Sequence, residues 1–295
     1  MSVLSLPLLV QAVVSGILFG GVYAAIALGL GLVWGVMRIL NIGHAALAIL
    51  GAYLSLTLVQ RAGMDPLLSL LVSIPVLYLI GMGLQQFVVH PMRGRKEGEL
   101  HTFLILYGIM VVVENLSVFI WSADVRLISA PYTSRNLNVL GLILPVGRVL
   151  SFLMAAAAVA AVYLFLKGTK LGRAVRAIAS DREAATLMGI SVNRLSRVAF
   201  GLGTATAAVA GLALGLVSSF FPGIQIVWVS KAFLVVVLGG VDNTLGLFVA
   251  ALLLGVAENV IGIVAPAFVV DFVAYILLIG TLMIRPQGLL RKAAV

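Results

Sequence analysis

Residues 180–189 read Ser-Asp-Arg-Glu-Ala-Ala-Thr-Leu-Met-Gly and carry the most chemically specific spacing in the chain. Ser180 three residues before Glu183 matches a capping box, in which the hydroxyl accepts from a first-turn backbone N–H and the carboxylate reaches back to the cap. Gly189 then supplies the stop, because glycine tolerates the left-handed conformation that closes a helix. Ser191 is placed to cap whatever helix follows. A helix of about two turns is marginal in isolation. It needs a surface to pack on, and Ala184, Ala185, Leu187, Met188 and Ile190 offer a small apolar face. The chemistry implied is docking of a soluble partner. The plainer alternative is a capped loop whose basic neighbours anchor to lipid headgroups. Those neighbours are dense: residues 167–197 hold seven Lys/Arg and two acids, a surplus of +5 out of the chain's +9. Lys170, Arg173 and Arg176 recur every third residue, on one face of a helix expected to prolong the apolar run before it.

A second set of polar residues sits inside apolar sequence. Asn41 and His44 are three apart, one helical turn, in a stretch that interrupts the apolar pattern after residue 38. At a break between spans they either line a path or cap exposed backbone. Glu114 lies near the middle of an apolar run, where a charge costs about 2.5–3.5 kcal/mol on insertion scales. It either faces a pore or subunit interface, or pairs with a polar neighbour and holds packing. Glu258-Asn259 falls toward the end of another run, where snorkelling to the interface is cheap. Gly239-Gly240-Val241-Asp242-Asn243 reads as a helix end with a tight turn.

The elements that must position these residues are membrane spans. The chain of 295 residues is 62% hydrophobic and 10% charged, with mean hydropathy +1.21, against about 25% charged in soluble domains. Apolar runs cover 8–36, 45–60, 67–89, 102–121, 148–166, 198–218, 224–240, 246–263 and 268–284. Most are long enough to cross roughly 30 Å of hydrocarbon as helices, and none alternates as a strand would. The expectation is an all-α polytopic membrane protein of eight to ten transmembrane helices, nine by this reading, forming a single domain over 1–295. Gly16/Gly20 and Gly31/Gly35 are small-xxx-small pairs that permit close helix approach. Pro66 is placed to open the third helix, and 122–147 reads as a polar connection.

Charge orients the set. Arg93, Arg95 and Lys96, the 167–197 segment and Arg285–Lys292 all belong on the cytoplasmic side by the positive-inside rule. Nine spans with the N-terminus outside satisfy all three, while Arg126, Arg135 and Arg148 dissent. The pI near 10.3 is thereby explained without nucleic acid. With no cysteine, disulfides and thiolate metal sites are excluded. Three scattered histidines make no metal cluster, and no cofactor is expected. The first charge is Arg38, so the first run reads as a retained span rather than a cleaved leader.

Here the residues acquire a family likeness. Glu183-Ala184-Ala185-x-x-x-Gly189 resembles the EAA loop of bacterial ABC importer permeases. It lacks the family's trailing Ile-x-Leu-Pro, having Ala199-Phe200-Gly201 there. The rest of the chain resembles the Liv-type branched-chain amino acid permeases, in their H-type subunit. The matching stretches are 35–45, Leu50-Gly51-Ala52-Tyr53, 181–190, 235–240 with Gly246, and Arg285-Pro286-Gln287-Gly288-Leu289, in family order from end to end. Where the H-type subunit often reads Asn-Phe-Ala-His-Gly, this chain has Asn41-Ile42-Gly43-His44-Ala45. The resemblance implies the ABC importer permease fold in a bacterial inner membrane. It implies a coupling segment at about 167–197, with Ser180, Asp181, Glu183, Ala184, Ala185, Met188 and Gly189 meeting the ATPase, and it puts the Gly239–Gly240 pair close to the translocation path. It also implies two ATPase subunits, a second permease of M type, an extracytoplasmic solute-binding protein, and leucine, isoleucine or valine as substrate.

The chain itself has no Gly-x-x-x-x-Gly-Lys-Ser/Thr phosphate loop, so any ATP-driven action must be energised by another subunit, and no enzyme activity is expected. Urea, short amides or another small organic solute remain alternative cargoes. A secondary transporter coupled through Glu114 is a rival mechanism. An intramembrane enzyme would need a Ser/His dyad, a His-Glu-x-x-His or paired aspartates in spans, none of which is read here.

Overall fold

The computed structural model describes residues 5–92, 98–139, 141–241 and 243–284. The basic loop 93–97, Asp242 and the tail 285–295 lie outside the described residues. Among the described residues, nine membrane-type helices follow in the expected order. They are α1 (Leu6–Met37), α2 (His44–Ala62), α3 (Pro66–Leu84), α5 (Gly98–Trp121), α6 (Val146–Gly168), α9 (Val192–Val217), α10 (Gln225–Gly239), α11 (Thr244–Ile261) and α12 (Ala267–Ile284). A π-helical turn, Gln85–Val89, and a short α4 (His90–Met92) prolong α3. Between α6 and α9 lie α7 (Lys170–Ser180) and α8 (Arg182–Leu187). Seven of the nine are long and apolar enough to cross a bilayer, while α10 and the apolar stretch of α12 are shorter. At 15 residues, α10 reaches only about 22 Å and cannot span alone.

Glycine explains the core. Apolar helices in lipid gain little by hiding apolar surface from one another, so they associate through close backbone contact. A Cβ on Gly16 would lie 2.6 Å from the Gly255 carbonyl oxygen of α11, and one on Gly20 2.8 Å from that of Ala251. One on Gly29 would come within 2.4 Å of the Gly203 carbonyl of α9, and one on Gly211 within 2.0 Å of the Ala48 carbonyl of α2. α1, α2, α9 and α11 therefore pack backbone to backbone. Gly16 and Gly20 do what their spacing suggested, while Gly31 instead receives the Leu247 side chain.

One end of the bundle carries the basic segment. At the other, Asp65 caps α3 by accepting from Leu67 N at 2.8 Å, and Pro66 opens the helix. Tyr132 donates to the second Asp65 oxygen at 2.7 Å; burial, then this carboxylate, pushes the phenol up to about 12. Arg126 and Phe220 exchange backbone hydrogen bonds. The connection 122–147 is not purely irregular: β1 (Asn136–Val139) and β2 (Leu142–Pro145) form an antiparallel hairpin. Gln11 secures it by bonding both backbone groups of Ile143. Glu258 corrects a second expectation. It does not snorkel; it is 8% exposed, accepts from the Tyr23 hydroxyl and pairs with Lys231 at 3.0 Å.

Candidate functional site

The basic end is built by two local breaks. Thr169 leaves helical geometry (φ −97°, ψ 155°) and its hydroxyl accepts from Gly172 N at 2.8 Å, capping α7. α7 is therefore a separate helix and not the straight extension of α6 that the sequence suggested. Gly172 permits the turn: a Cβ there would sit 2.0 Å from the Phe165 carbonyl oxygen. Gly172, Val175 and Ile178 face inward, while Lys170, Arg173 and Arg176 share the exposed face as expected.

α8 follows without a spacer. Its N-cap is Asp181, whose Oδ1 accepts from Glu183 N at 2.9 Å and Ala184 N at 3.0 Å. The expected Ser180–Glu183 capping box is thus displaced by one residue. Asp181 N still donates to Ala177 O, so the chain is helical through Ser180 and the break falls after it. A carboxylate is also the stronger acceptor. Gly189 ends the element as expected, at φ +77°, with its N–H on Thr186 O at 3.0 Å. Ser191 sits at the N-cap of α9 but makes no side-chain cap bond. Of the anticipated apolar face, Ala185 is buried among Val175, Ile178, Val192 and Leu195. Leu187 and Met188 stand 88% and 82% exposed. Glu183 and Ala184 are exposed beside them. The structure thus gathers Ser180, Asp181, Glu183, Ala184, Ala185, Met188 and Gly189 into one projecting element, braced by the bundle and uncovered on its outer side.

The interior candidates do not converge. α1 ends at Arg38, in left-handed geometry at φ 56°. The chain then turns back into the bundle, so that the His44 ring lies against Gly29 and Thr206. Gly29 is eight residues before Met37, which puts the start of α2 about 12 Å inside the end of α1. Asn41 and His44 are 1% and 0% exposed, and neither polar atom of the Asn41 amide has a hydrogen-bond partner among the described residues. Gly43 fits there because a Cβ would approach the Leu106 carbonyl oxygen at 3.0 Å. Glu114 lies elsewhere, accepting from Gln225 Nε2 at 2.5 Å at the start of α10. Gly239 packs on α11, where a Cβ would be 2.6 Å from Leu247 backbone. Gly240, at φ +85°, turns the chain into α11, which Asn243 caps through Gly246 N at 3.0 Å.

Two features escaped the sequence reading. Arg38 donates to the Ala179 carbonyl of α7 at 3.0 Å, tying the end of α1 to the basic segment. Beside it, α1, α6, α7 and the α10–α11 turn enclose a cavity of about 540 Å³ lined by Arg38, Lys167, Arg176 and Asn243. The other is Lys231, flanked by Glu258 and Asp271 at 3.0 and 3.1 Å. Its signal was available, since an intramembrane cation needs a partner.

With this geometry in hand, comparison with known proteins is specific. A family model described as branched-chain amino acid transport system, permease component, matches residues 12–282. The chain is 30% identical over 298 residues to BraD of Pseudomonas aeruginosa, a high-affinity branched-chain amino acid transport system permease protein, covering 97% of this chain and 96% of BraD. It is 28% identical over 298 residues to LivH of Escherichia coli K12, with the same coverage. Among solved structures, PsaBC from Streptococcus pneumoniae in complex with Fab aligns with TM-score 0.51 at 13% identity, over 92% of this chain and 91% of that one, a likeness of fold. A polytopic helical bundle with a projecting capped helix at its basic end, and family-level similarity across nearly its whole length, belongs to the permease component family of branched-chain amino acid transport systems.

Proposed function

We propose that this chain is the transmembrane permease subunit of an ATP-driven importer for leucine, isoleucine and valine in a bacterial cytoplasmic membrane. The basic end faces the cytoplasm, as the positive-inside rule requires. There α8 is the coupling element. Asp181 and Gly189 delimit it, Ala185 anchors it, and Leu187 and Met188 enter a cleft of a soluble ATPase. Two such ATPases serve a pair of permeases, the second being an M-type sister chain. An extracytoplasmic solute-binding protein delivers cargo to the opposite end. The chain contributes no catalytic group and holds no phosphate loop, so hydrolysis belongs to its partners.

The observation that carries this reading is the exposure of two adjacent large apolar side chains on a short helix otherwise held rigid by caps at both ends. Lipid anchoring by the basic residues does not require such a knob, whereas docking does. Closure of the ATPase pair would displace α8 and, through it, α7 and α9, a rigid-body mode of alternating access.

The test is affinity purification of the tagged chain from detergent extracts of its native cells, with mass spectrometry of what accompanies it. A phosphate-loop ATPase and a second permease are expected. A chain recovered alone that moves solute in liposomes on an ion gradient would overturn the proposal in favour of a secondary transporter.

A further inference from the structure

At the end opposite the basic segment, α1, α10, α11 and α12 surround a cavity of about 650 Å³. Within the range of small-molecule sites, it contains charges for which the coupling element has no use. Lys231 Nζ stands 3.0 Å from Glu258 Oε1 and 3.1 Å from Asp271 Oδ1. The two carboxylates are not equivalent. Glu258 is committed on both oxygens, to Lys231 and to the Tyr23 hydroxyl, and its side chain is 9% exposed. The Asp271 side chain is 49% exposed in the same cavity. One ammonium between two carboxylates leaves a formal surplus of −1, and that surplus resides on the accessible member.

Two further donors of the lining have no hydrogen-bond partner among the described residues: the indole N–H of Trp228, which is 7% exposed, and the buried hydroxyl of Ser218. An indole nitrogen can only donate, and burying it unpaired is costly. A salt bridge that merely braced helix ends would require neither an orphaned indole N–H nor a half-open aspartate.

We infer that this cavity binds the head group of an α-amino acid zwitterion, with Lys231 receiving the carboxylate and Asp271 the ammonium. Entry of the zwitterion between them replaces one ion pair with two and conserves net charge, so no buried charge is stranded. Glu258 remains on Lys231 as its structural counter-ion. Trp228 and Ser218 donate to the carboxylate oxygens, and the Tyr23 and Trp228 rings, 5.8 Å apart, form an apolar wall for the side chain. The inference rests on the amino-acid importer reading for its cargo. Neutral amides, which carry no charge pair, gain nothing from this arrangement.

The experiment uses the permease together with the subunits that co-purify with it, reconstituted in liposomes loaded with ATP, and measures initial uptake of radiolabelled leucine. Asp271→Asn and the double variant Lys231→Met/Glu258→Gln, which removes both members of the buried pair, are expected to lower uptake about tenfold or more. Trp228→Phe, which keeps every charge, is expected to lower it several-fold, and it decides the question if a charge variant inserts poorly. Wild-type rates in the well-inserted variants overturn the site. If the wild-type importer takes up none of leucine, isoleucine and valine, the proposed cargo falls instead, and the same variants are assayed with the remaining proteinogenic amino acids. A zwitterion taken up by wild type and lost in the variants sustains the site. Uptake of none, or of amides alone and indifferent to the variants, overturns it as well.

Discussion

Leu187→Ala isolates the docking claim, because Leu187 contributes almost nothing to the chain's own packing at 88% exposure. Trimming leucine to alanine removes three carbons, worth about 0.8 kcal/mol each when fully buried. Scaled by the exposed fraction, docking would lose about 2 kcal/mol. At 1.4 kcal/mol per decade that is about 30-fold weaker association, an upper-range value since interfaces return less than their full area term. The assay is equilibrium binding of the detergent-solubilised permease to its purified ATPase subunit by biolayer interferometry, with thermal unfolding as control. Leu153→Ala, which trims a 55% exposed leucine in the middle of α6, should leave binding unchanged. Association of Leu187→Ala within about twofold of wild type, at an unchanged melting temperature, would refute the placement of α8 in an ATPase cleft.

Gly189→Pro must abandon φ +77° and the bond to Thr186, at a local cost of about 3 kcal/mol; with Glu183→Lys it should uncouple transport while membrane insertion persists, and unchanged ATPase association in both would contradict docking. Glu114→Gln preserves an acceptor for Gln225 Nε2, whereas Glu114→Lys presents only donors to it. Uptake should therefore survive the first better than the second, and equal loss in both would point to a working, protonatable carboxylate. Arg38→Gly and Arg38→Ala both remove the bond to Ala179, but only glycine relieves the left-handed strain of about 1–2 kcal/mol; both should impair coupling, with the glycine variant melting higher, and wild-type coupling in either would show the tie to be dispensable. Gly211→Ala would force a Cβ to 2.0 Å from the Ala48 carbonyl, so thermal stability in detergent should fall by about 3 kcal/mol; an unchanged melting temperature would show that α2 and α9 can separate.

Helix content was legible because apolar runs long enough to cross a bilayer have few other fates. The run 8–36 became α1 over Leu6–Met37, and 224–240 became α10 over Gln225–Gly239. Gly189 and Pro66 marked their boundaries through backbone chemistry that needs no tertiary context. What failed was whatever depended on a neighbour. The cap of α8 moved from Ser180 to Asp181 because α7 persists one residue further than the capping pattern assumes. Glu258 looked free to snorkel until Tyr23, 235 residues away, and Lys231 supplied partners. The depth of Asn41 and His44 was equally hidden, because hydropathy reports that a pattern breaks and not whether the broken chain folds outward or back into the bundle.

These contacts also constrain how a displacement at α8 would travel. The interfaces of α1 with α9 and α11, and of α2 with α9, bring backbone against backbone at Gly16, Gly20, Gly29 and Gly211, with the His44 ring and the Thr206 hydroxyl packed in beside Gly29 and the Leu252 side chain beside Gly20. Close packing of that kind transmits strain instead of dissipating it. On the proposed reading, a push on α8 would pass to α9 within a few residues and, through α7 and Arg38, to the end of α1, so that the four core helices would move as one body. Compliance must then lie where helices are interrupted: at the turn through Gly239 and Gly240, and at the re-entrant segment carrying the unbonded amide of Asn41. α10 is the element hung from one such interruption, and it carries Gln225 against Glu114 at its start and Lys231 against Glu258 further along. A half-span pivoting on a glycine turn would carry Lys231 away from or toward Asp271 of α12 as the core shifts. On the proposed reading, the distance between those two charges is where ATP closure at one end becomes capture or release of a zwitterion at the other.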